Sequence, residues 1–177
     1  MSSDLKASPR RCGIALGANL GDRVAQLSVA RRALRELHEG EDETFLCSPV
    51  FESDPVDCAV GDPLFANAVI ELQTSLEPVG LLGQTQRLEA EAGRGFKRAR
   101  HAPRPLDLDL LYLDELILGT ADLTVPHPRI GQRRFVLEPL ASIRPALTLP
   151  NESETVADLL ANLSSDESVL RLLADIW

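Results

Sequence analysis

The sequence predicts an α+β fold, and two observations carry that expectation. Apolar stretches of strand periodicity alternate with two amphipathic stretches of helical periodicity, in the order β-α-β-β-α-β through residue 113. No repeat, linker or low-complexity run divides the 177 residues, so a short flexible tail over 1–10 and one domain over 11–177 are expected. This element order is that of the split-βαβ, ferredoxin-like arrangement: four mostly antiparallel strands with two helices on one face. A further hairpin and helices are expected toward the C-terminus.

Arg11–Leu16 reads as the first strand, running into a glycine-rich turn, GANLGD, at 17–22. Asn19 or Asp22 can cap the next element. The turn lacks the GK[ST] ending of a phosphate loop, so a structural turn is favoured over a phosphate cradle. Val24, Leu27, Ala30, Leu34 and Leu37 recur at helical spacing over 22–38, with Gly40 as a stop and Arg31, Arg32 and Arg35 as a solvated face. Thr44–Glu52 is the second strand, with Phe45, Cys47 and Phe51 on one face. Pro49 there argues for an edge or a bulge.

Phe65–Thr74 alternates as a third strand. Ala66, Ala68, Ile70 and Leu72 take one face; Phe65, Asn67, Val69 and Glu71 take the other. A helix over 76–92 comes next, with Ser75 as N-cap, Pro78 in its first turn and a stripe of Leu81, Leu82, Thr85 and Leu88. Beyond 113, Leu116–Leu118 and Leu123–Val125 can pair across GTAD. A short helix over 129–140 closed by Pro139, a short strand at 147–149, and helices near 155–163 and 166–176 complete the reading, with Ser153 and Ser164 or Ser165 as caps.

The chemistry concentrates between Gly93 and Tyr112. The first half carries Arg94, Lys97, Arg98, Arg100 and Arg104 and no acid. The second half is the last strand of the core, Leu106–Leu113, with Asp107 and Asp109 two apart. On a strand they share a face, about 6–7 Å apart along the chain. Carboxylates so placed repel each other and resist desolvation unless a cation sits between them. Magnesium suits two hard oxygen ligands whose shell substrate phosphates complete, and arginines bind phosphate bidentately. The pattern points to metal-assisted phosphoryl transfer; aspartates ending a strand beside a solvated basic run are the plainer alternative. Gln86 and Glu89 share a helix face just before the basic loop. Asn67 is an amide in an apolar strand: it binds a planar heterocycle or bonds loop backbone. The segment PHPRIGQRRF at 126–135 is either an exposed helix start or a second phosphate-facing cluster.

A net charge of −9 argues against general nucleic-acid or anionic-membrane binding, and makes the basic loop a local anion site. The three cysteines, Cys12, Cys47 and Cys58, form no metal or disulfide pattern, as for thiols in a reducing compartment. No secretory h-region and no membrane-length apolar run is present, so a cytoplasmic protein is expected.

Over most of its length the sequence resembles the 6-hydroxymethyl-7,8-dihydropterin pyrophosphokinase family of folate biosynthesis. The resemblance is collinear through GANLGDR (17–23), SPVFESDP (48–55), FANAVIELQTSLEP (65–78), QRLEAEAGR (86–94), APRPLDLDLLYL (102–113), LTVPHPRI (123–130) and RRFVLEPLASI (133–143). It implies pyrophosphate transfer from ATP to the pterin hydroxymethyl group with release of AMP. It implies two magnesium ions on Asp107 and Asp109, and catalytic-loop arginines at Arg94 and Arg104. Gln86, Glu89, His127 and Arg133 match ATP-site positions, with Arg94 and Arg104. Ser53, Asp54, Val56, Asn67 and Phe135 match the pterin pocket. The chain departs from the family's common pattern at Asp54, Phe65, Phe96, His101 and Pro128. The partners expected are ATP and the pterin, with no nucleic acid and no membrane, for a protein acting as a monomer. An RNA-binding module lacks its stacking aromatics here, a regulatory module has no use for the paired aspartates, and a two-metal phosphodiesterase would act without ATP.

Overall fold

The computed structural model describes residues 8–55, 61–93, 103–164 and 167–177. Strands are β1 (Arg10–Ala18), β2 (Leu46–Cys47), β3 (Val50–Ser53), β4 (Phe65–Thr74), β5 (Asp107–Leu113), β6 (Leu118–Gly119), β7 (Thr124–Val125) and β8 (Arg171–Ala174). Helices are α1 (Arg23–Glu36), α2 (Pro78–Glu91), α3 (Arg134–Ile143) and α4 (Val156–Ala161). The main sheet runs β5-β1-β4-β3-β8, with β2 also on β4, and every pairing is antiparallel. The first four strands of that order are the expected ferredoxin-like arrangement, and β6 and β7 form the expected hairpin.

Alternation sorts the side chains. Cys12, Ile14, Leu16 and Ala18 of β1 and Ala66, Ala68, Ile70 and Leu72 of β4 point to one face, where α1 and α2 bring Leu27, Ala30, Leu34 and Leu81. On the opposite face Val69, Leu111 and Tyr112 pack under α3 and α4 through Val136, Leu137, Leu140 and Val156. The second helix layer covers only part of that face. Asp107, Gly17 and Asn67 stand in register beside it.

Two bulges shift these faces. β2 and β3 are one predicted strand broken at Ser48–Pro49. Pro49 has no N–H, and the Ser48 hydroxyl accepts from Val69 N at 2.9 Å. One extra residue then opposes β4, so Phe51 turns to the face opposite Cys47, not the shared face expected. In β5, Ile14 pairs Leu110 while Gly13 pairs Tyr112, so Leu111 is the extra residue. Leu111 and Tyr112 both lie on the α3 face. Gly13 makes room for this: a Cβ there would lie 2.2 Å from the Tyr112 ring.

Other expectations change at element ends. Asp22, not Asn19, caps α1, accepting from Ala25 N at 3.0 Å. Gly17 is strand, and only Gly21 of the turn has positive φ, at 64°. Arg31 and Arg35 are not simply solvated: they stack over Trp177 and Phe45. Pro78 opens α2 with Glu77 before it, two residues past Ser75. Pro139 lies inside α3 instead of ending it. Thr155, not Ser153, caps α4 through a capping box with Asp158. The strand at 147–149 is a single bridge, Thr148 to Thr155.

The largest correction is the last segment. The helix expected over 166–176 is instead β8, paired to the edge of β3. Trp177 decides this: its Nε1 donates to Ser48 O at 2.7 Å and its ring is buried against α1. Anchoring that aromatic at the sheet edge draws the preceding residues into extended pairing, and tertiary burial overrides the leucine-rich helical pattern.

Candidate active site

Three rows of side chains cross the sheet on the face that α3 and α4 partly cover, the first of them left open. Asp107, Gly17 and Asn67 form the first row; Asp109, Ala15 and Val69 the second; Tyr112, Gly13 and Glu71 the third. Gly17 keeps the middle of the first row bare. A Cβ there would lie 3.8 Å from Asp107 Cβ and 3.9 Å from Asn67 Oδ1, so an added side chain would fill the gap between the two.

Arg104 is fixed through its backbone. Its N–H donates to Asn19 Oδ1 at 2.7 Å, and its carbonyl accepts from Asn19 N at 3.1 Å. Asn19 is 2% exposed, and its Nδ2 reaches Pro63 O at 3.5 Å. Arg104 Nη1 then meets Asp107 Oδ1 at 3.0 Å. Among the described residues the buried Arg104 Nε has no hydrogen-bond partner, an unsatisfied donor beside the carboxylates. By sequence Asn19 is only a possible cap. Its place in GANLGD is visible there, but its partner 85 residues away is not.

Glu89 is 7% exposed, and its Oε1 accepts from Leu108 N at 2.8 Å. It satisfies the outer edge of β5 between the two aspartates. Gln86, three residues earlier on α2, is exposed. On the far side of β5, His127 N donates to Leu111 O at 2.7 Å. His127 Nδ1 accepts from Arg129 N at 3.2 Å, so the neutral ring carries its proton on Nε2. Arg133 precedes α3, its guanidinium 5.2 Å above the Phe135 ring.

The charges converge on Asp109. Burial, then the neighbouring Asp107, push its carboxyl above the usual range, while His127, Arg133 and Arg104 pull the other way. His127 is lowered mainly by burial, against the pull of Asp109 and with a push from Arg133 and Arg129. Asp107, Asp109, Arg104, His127 and Arg133 therefore share one electrostatic neighbourhood.

The other side of Gly17 is apolar and amide-bearing. Asn67 is 5% exposed and its Nδ2 donates to Ser53 Oγ at 2.9 Å. Phe51 pairs with Asn67 across the sheet, Asp54 is exposed just past β3, and Phe135 is half-buried against the α3 core. Arg94 and Val56 lie outside the described residues, as do Lys97, Arg98, Arg100, Phe96, His101 and Cys58.

Among the described residues no three His, Cys, Asp or Glu side chains gather as a metal cage. Two carboxylate donors on one strand fit a cation that takes its remaining ligands from a phosphate and water. No helix among the described residues is long and apolar enough to cross a membrane.

Known proteins bear on this geometry. The chain is 43% identical over 131 residues to the 2-amino-4-hydroxy-6-hydroxymethyldihydropteridine pyrophosphokinase of Bacillus subtilis, 73% of this chain and 75% of that one. It is 40% identical over 152 residues to the enzyme of that name in Pseudomonas aeruginosa, 86% of this chain and 91% of the relative. Its fold matches a solved HPPK-DHPS in complex with substrates at TM-score 0.67 and 12% identity, covering 88% of this chain and 43% of the other. The Plasmodium falciparum HPPK-DHPS A437G with pteroate gives TM-score 0.67 at 13% identity, covering 90% and 44%. The chain thus spans less than half the length of those solved chains, and the likeness to them is one of fold. The family model for 7,8-dihydro-6-hydroxymethylpterin-pyrophosphokinase matches residues 13–145, from the first strand through the end of α3, and the chain belongs to that family.

Proposed function

We propose that this chain transfers pyrophosphate from ATP to 6-hydroxymethyl-7,8-dihydropterin, giving AMP and the pterin diphosphate for folate biosynthesis. The observation that carries the reading is the first row across the sheet. A carboxylate–arginine cluster and a buried amide flank one bare glycine, an arrangement that suits an anion subsite beside a heterocycle subsite.

In this reading Asp107 and Asp109 hold two magnesium ions on the ATP phosphates. The metal, when bound, neutralises charge that builds on the phosphate oxygens as the α–β bridge breaks. Arg104 Nη1 and its unpartnered Nε face the same charge, and Arg133 and His127 Nε2–H supply further donors to nucleotide oxygens. Arg94 is assigned to the phosphates by its place in the family motif, and Gln86 and Glu89 to the nucleotide. Glu89 acts at least through Leu108, by holding β5 in place. Asn67 presents an amide to the pterin edge, Phe135 its ring face, and Ser53, Asp54 and Val56 the pocket wall. The described residues among these all come from one chain, in keeping with a monomer acting alone. Cytoplasmic work suits thiols left unpaired at Cys12 and Cys47.

Mixing the protein with Mg-ATP and the pterin, then separating nucleotides, tests the reading. AMP formed in step with a pyrophosphorylated pterin is expected. ADP, or phosphoester hydrolysis without ATP, would replace it with another phosphoryl-transfer reaction.

A further inference from the structure

The third row across the sheet lies outside the site described above. Glu71 is 0% exposed. One of its oxygens accepts from Tyr112 OH at 2.6 Å, across the gap left by Gly13. The other is forked by Arg144, from Nε at 2.9 Å and from Nη2. Burial and the facing Glu71 carboxylate hold the Tyr112 hydroxyl protonated, so it donates. Arg144 is the residue that ends α3.

A buried ion pair is a poor way to gain stability, since apolar side chains of similar volume serve as well. What it adds is a defined geometry, and α3 needs one. The helix has ten residues, carries Pro139 inside it, and takes no cap from the side chain of Arg133 before it; its first N–H, that of Arg134, donates to Glu167 Oε2 at 2.9 Å. Its own hydrogen bonds place it weakly. It is about 15 Å long, so a tilt of roughly 10° at one end moves the other by about 2–3 Å. Arg133 and Phe135 lie at that other end. Glu71, Tyr112 and Arg144 join β4, β5 and α3, the elements that also carry Asn67, Asp107 with Asp109, and Phe135.

We propose that Glu71 is a positioning residue: by gripping Arg144 and Tyr112 it sets the angle of α3 on the sheet, and so the distance of Arg133 and Phe135 from the Asp107–Gly17–Asn67 row. The reading rests on the proposed pyrophosphokinase activity for its kinetic consequence, though not for its structural one. A misplacement of about 1 Å costs catalytic sites up to about a hundredfold.

The test replaces the trio by apolar residues of similar volume, Glu71→Leu, Tyr112→Phe and Arg144→Met together, with Arg144→Lys as a gentler variant that keeps charge and loses the fork. Hydrogen exchange is read at the amides of Val136 and Leu137, which bond to Arg133 O. KM for Mg-ATP and for the pterin is read beside it. Exchange about tenfold faster at those amides in either variant is expected, with thermal stability of the triple variant near the parent and both KM values raised about fivefold or more. Parental exchange in the folded variants would overturn the proposal whether or not the protein is a pyrophosphokinase. Parental KM values in an active protein would overturn it too, by showing that the cluster only packs. A parent that exchanges normally but forms no AMP would instead defeat the activity reading alone.

Discussion

Asp109 is held where burial and a like charge both disfavour its ionisation, and His127, Arg133 and Arg104 offset them only in part. Sites that store such conflict gain stability when relieved of it. Asp109→Asn is therefore expected to keep or slightly raise the Tm without metal, while lowering turnover by about a hundredfold or more; calorimetry and AMP release together check this. Asp107→Asn should lose turnover alike, and near-normal activity in both would remove the metal assignment. Arg104→Ala should lower kcat far more than it raises KM, because its partner charge grows toward the transition state; a pure KM effect would place the arginine on the ground state. Cys12 is a different kind of buried group. Burial, with Glu71 nearby, pushes its thiol well above the ordinary range. It should resist thiol reagents at pH 8 in the native protein and react on unfolding, as read by mass spectrometry.

At the scale of elements, the bulge in β5 and the bare Gly13 act together. Gly13→Ala drives a methyl into the Tyr112 ring and should cost about 1–3 kcal/mol in urea unfolding. Adding Tyr112→Leu should return part of that loss. Trp177→Ala should cost about 3–5 kcal/mol, since it empties a buried ring site and leaves Ser48 O without its donor. Strands differ in how plainly the sequence encodes them. β4 is legible residue for residue, because its alternation is unbroken from Phe65 to Thr74. Pro49 announces a bulge, yet not that Phe51 changes sides. The residues before Trp177 have leucines at helical spacing, and only the docking of the indole on β2–β3 backbone makes them a strand.

Across the whole molecule the sheet separates two jobs. One face is closed by α1 and α2 and is packing throughout. The other is half core and half cleft. A ligand bound in that cleft stabilises only the folded state, so Mg-ATP at about a hundred times its Kd should add about 2.7 kcal/mol, and EDTA should remove most of it. For a chain of this size that is roughly 5–10 °C in Tm, readable in a thermal scan. The candidate site is legible as residue types close in sequence: Asp107 beside Asp109, Arg104 just before them. Its long-range stitches, Asn19 to Arg104 and Glu71 to Arg144, are not, since no local pattern encodes a partner so far along the chain. The bulge in β5 also matters as a question of chain length. Leu111 is an inserted letter: without it, Ile14 still faces Leu110 and Gly13 still faces Tyr112, in frame on both sides. What disappears is the carbonyl that His127 N holds at 2.7 Å. A one-residue deletion there is expected to fold and to cast off the His127 segment, an outcome that no substitution of Leu111 can produce, because every amino acid brings its own carbonyl.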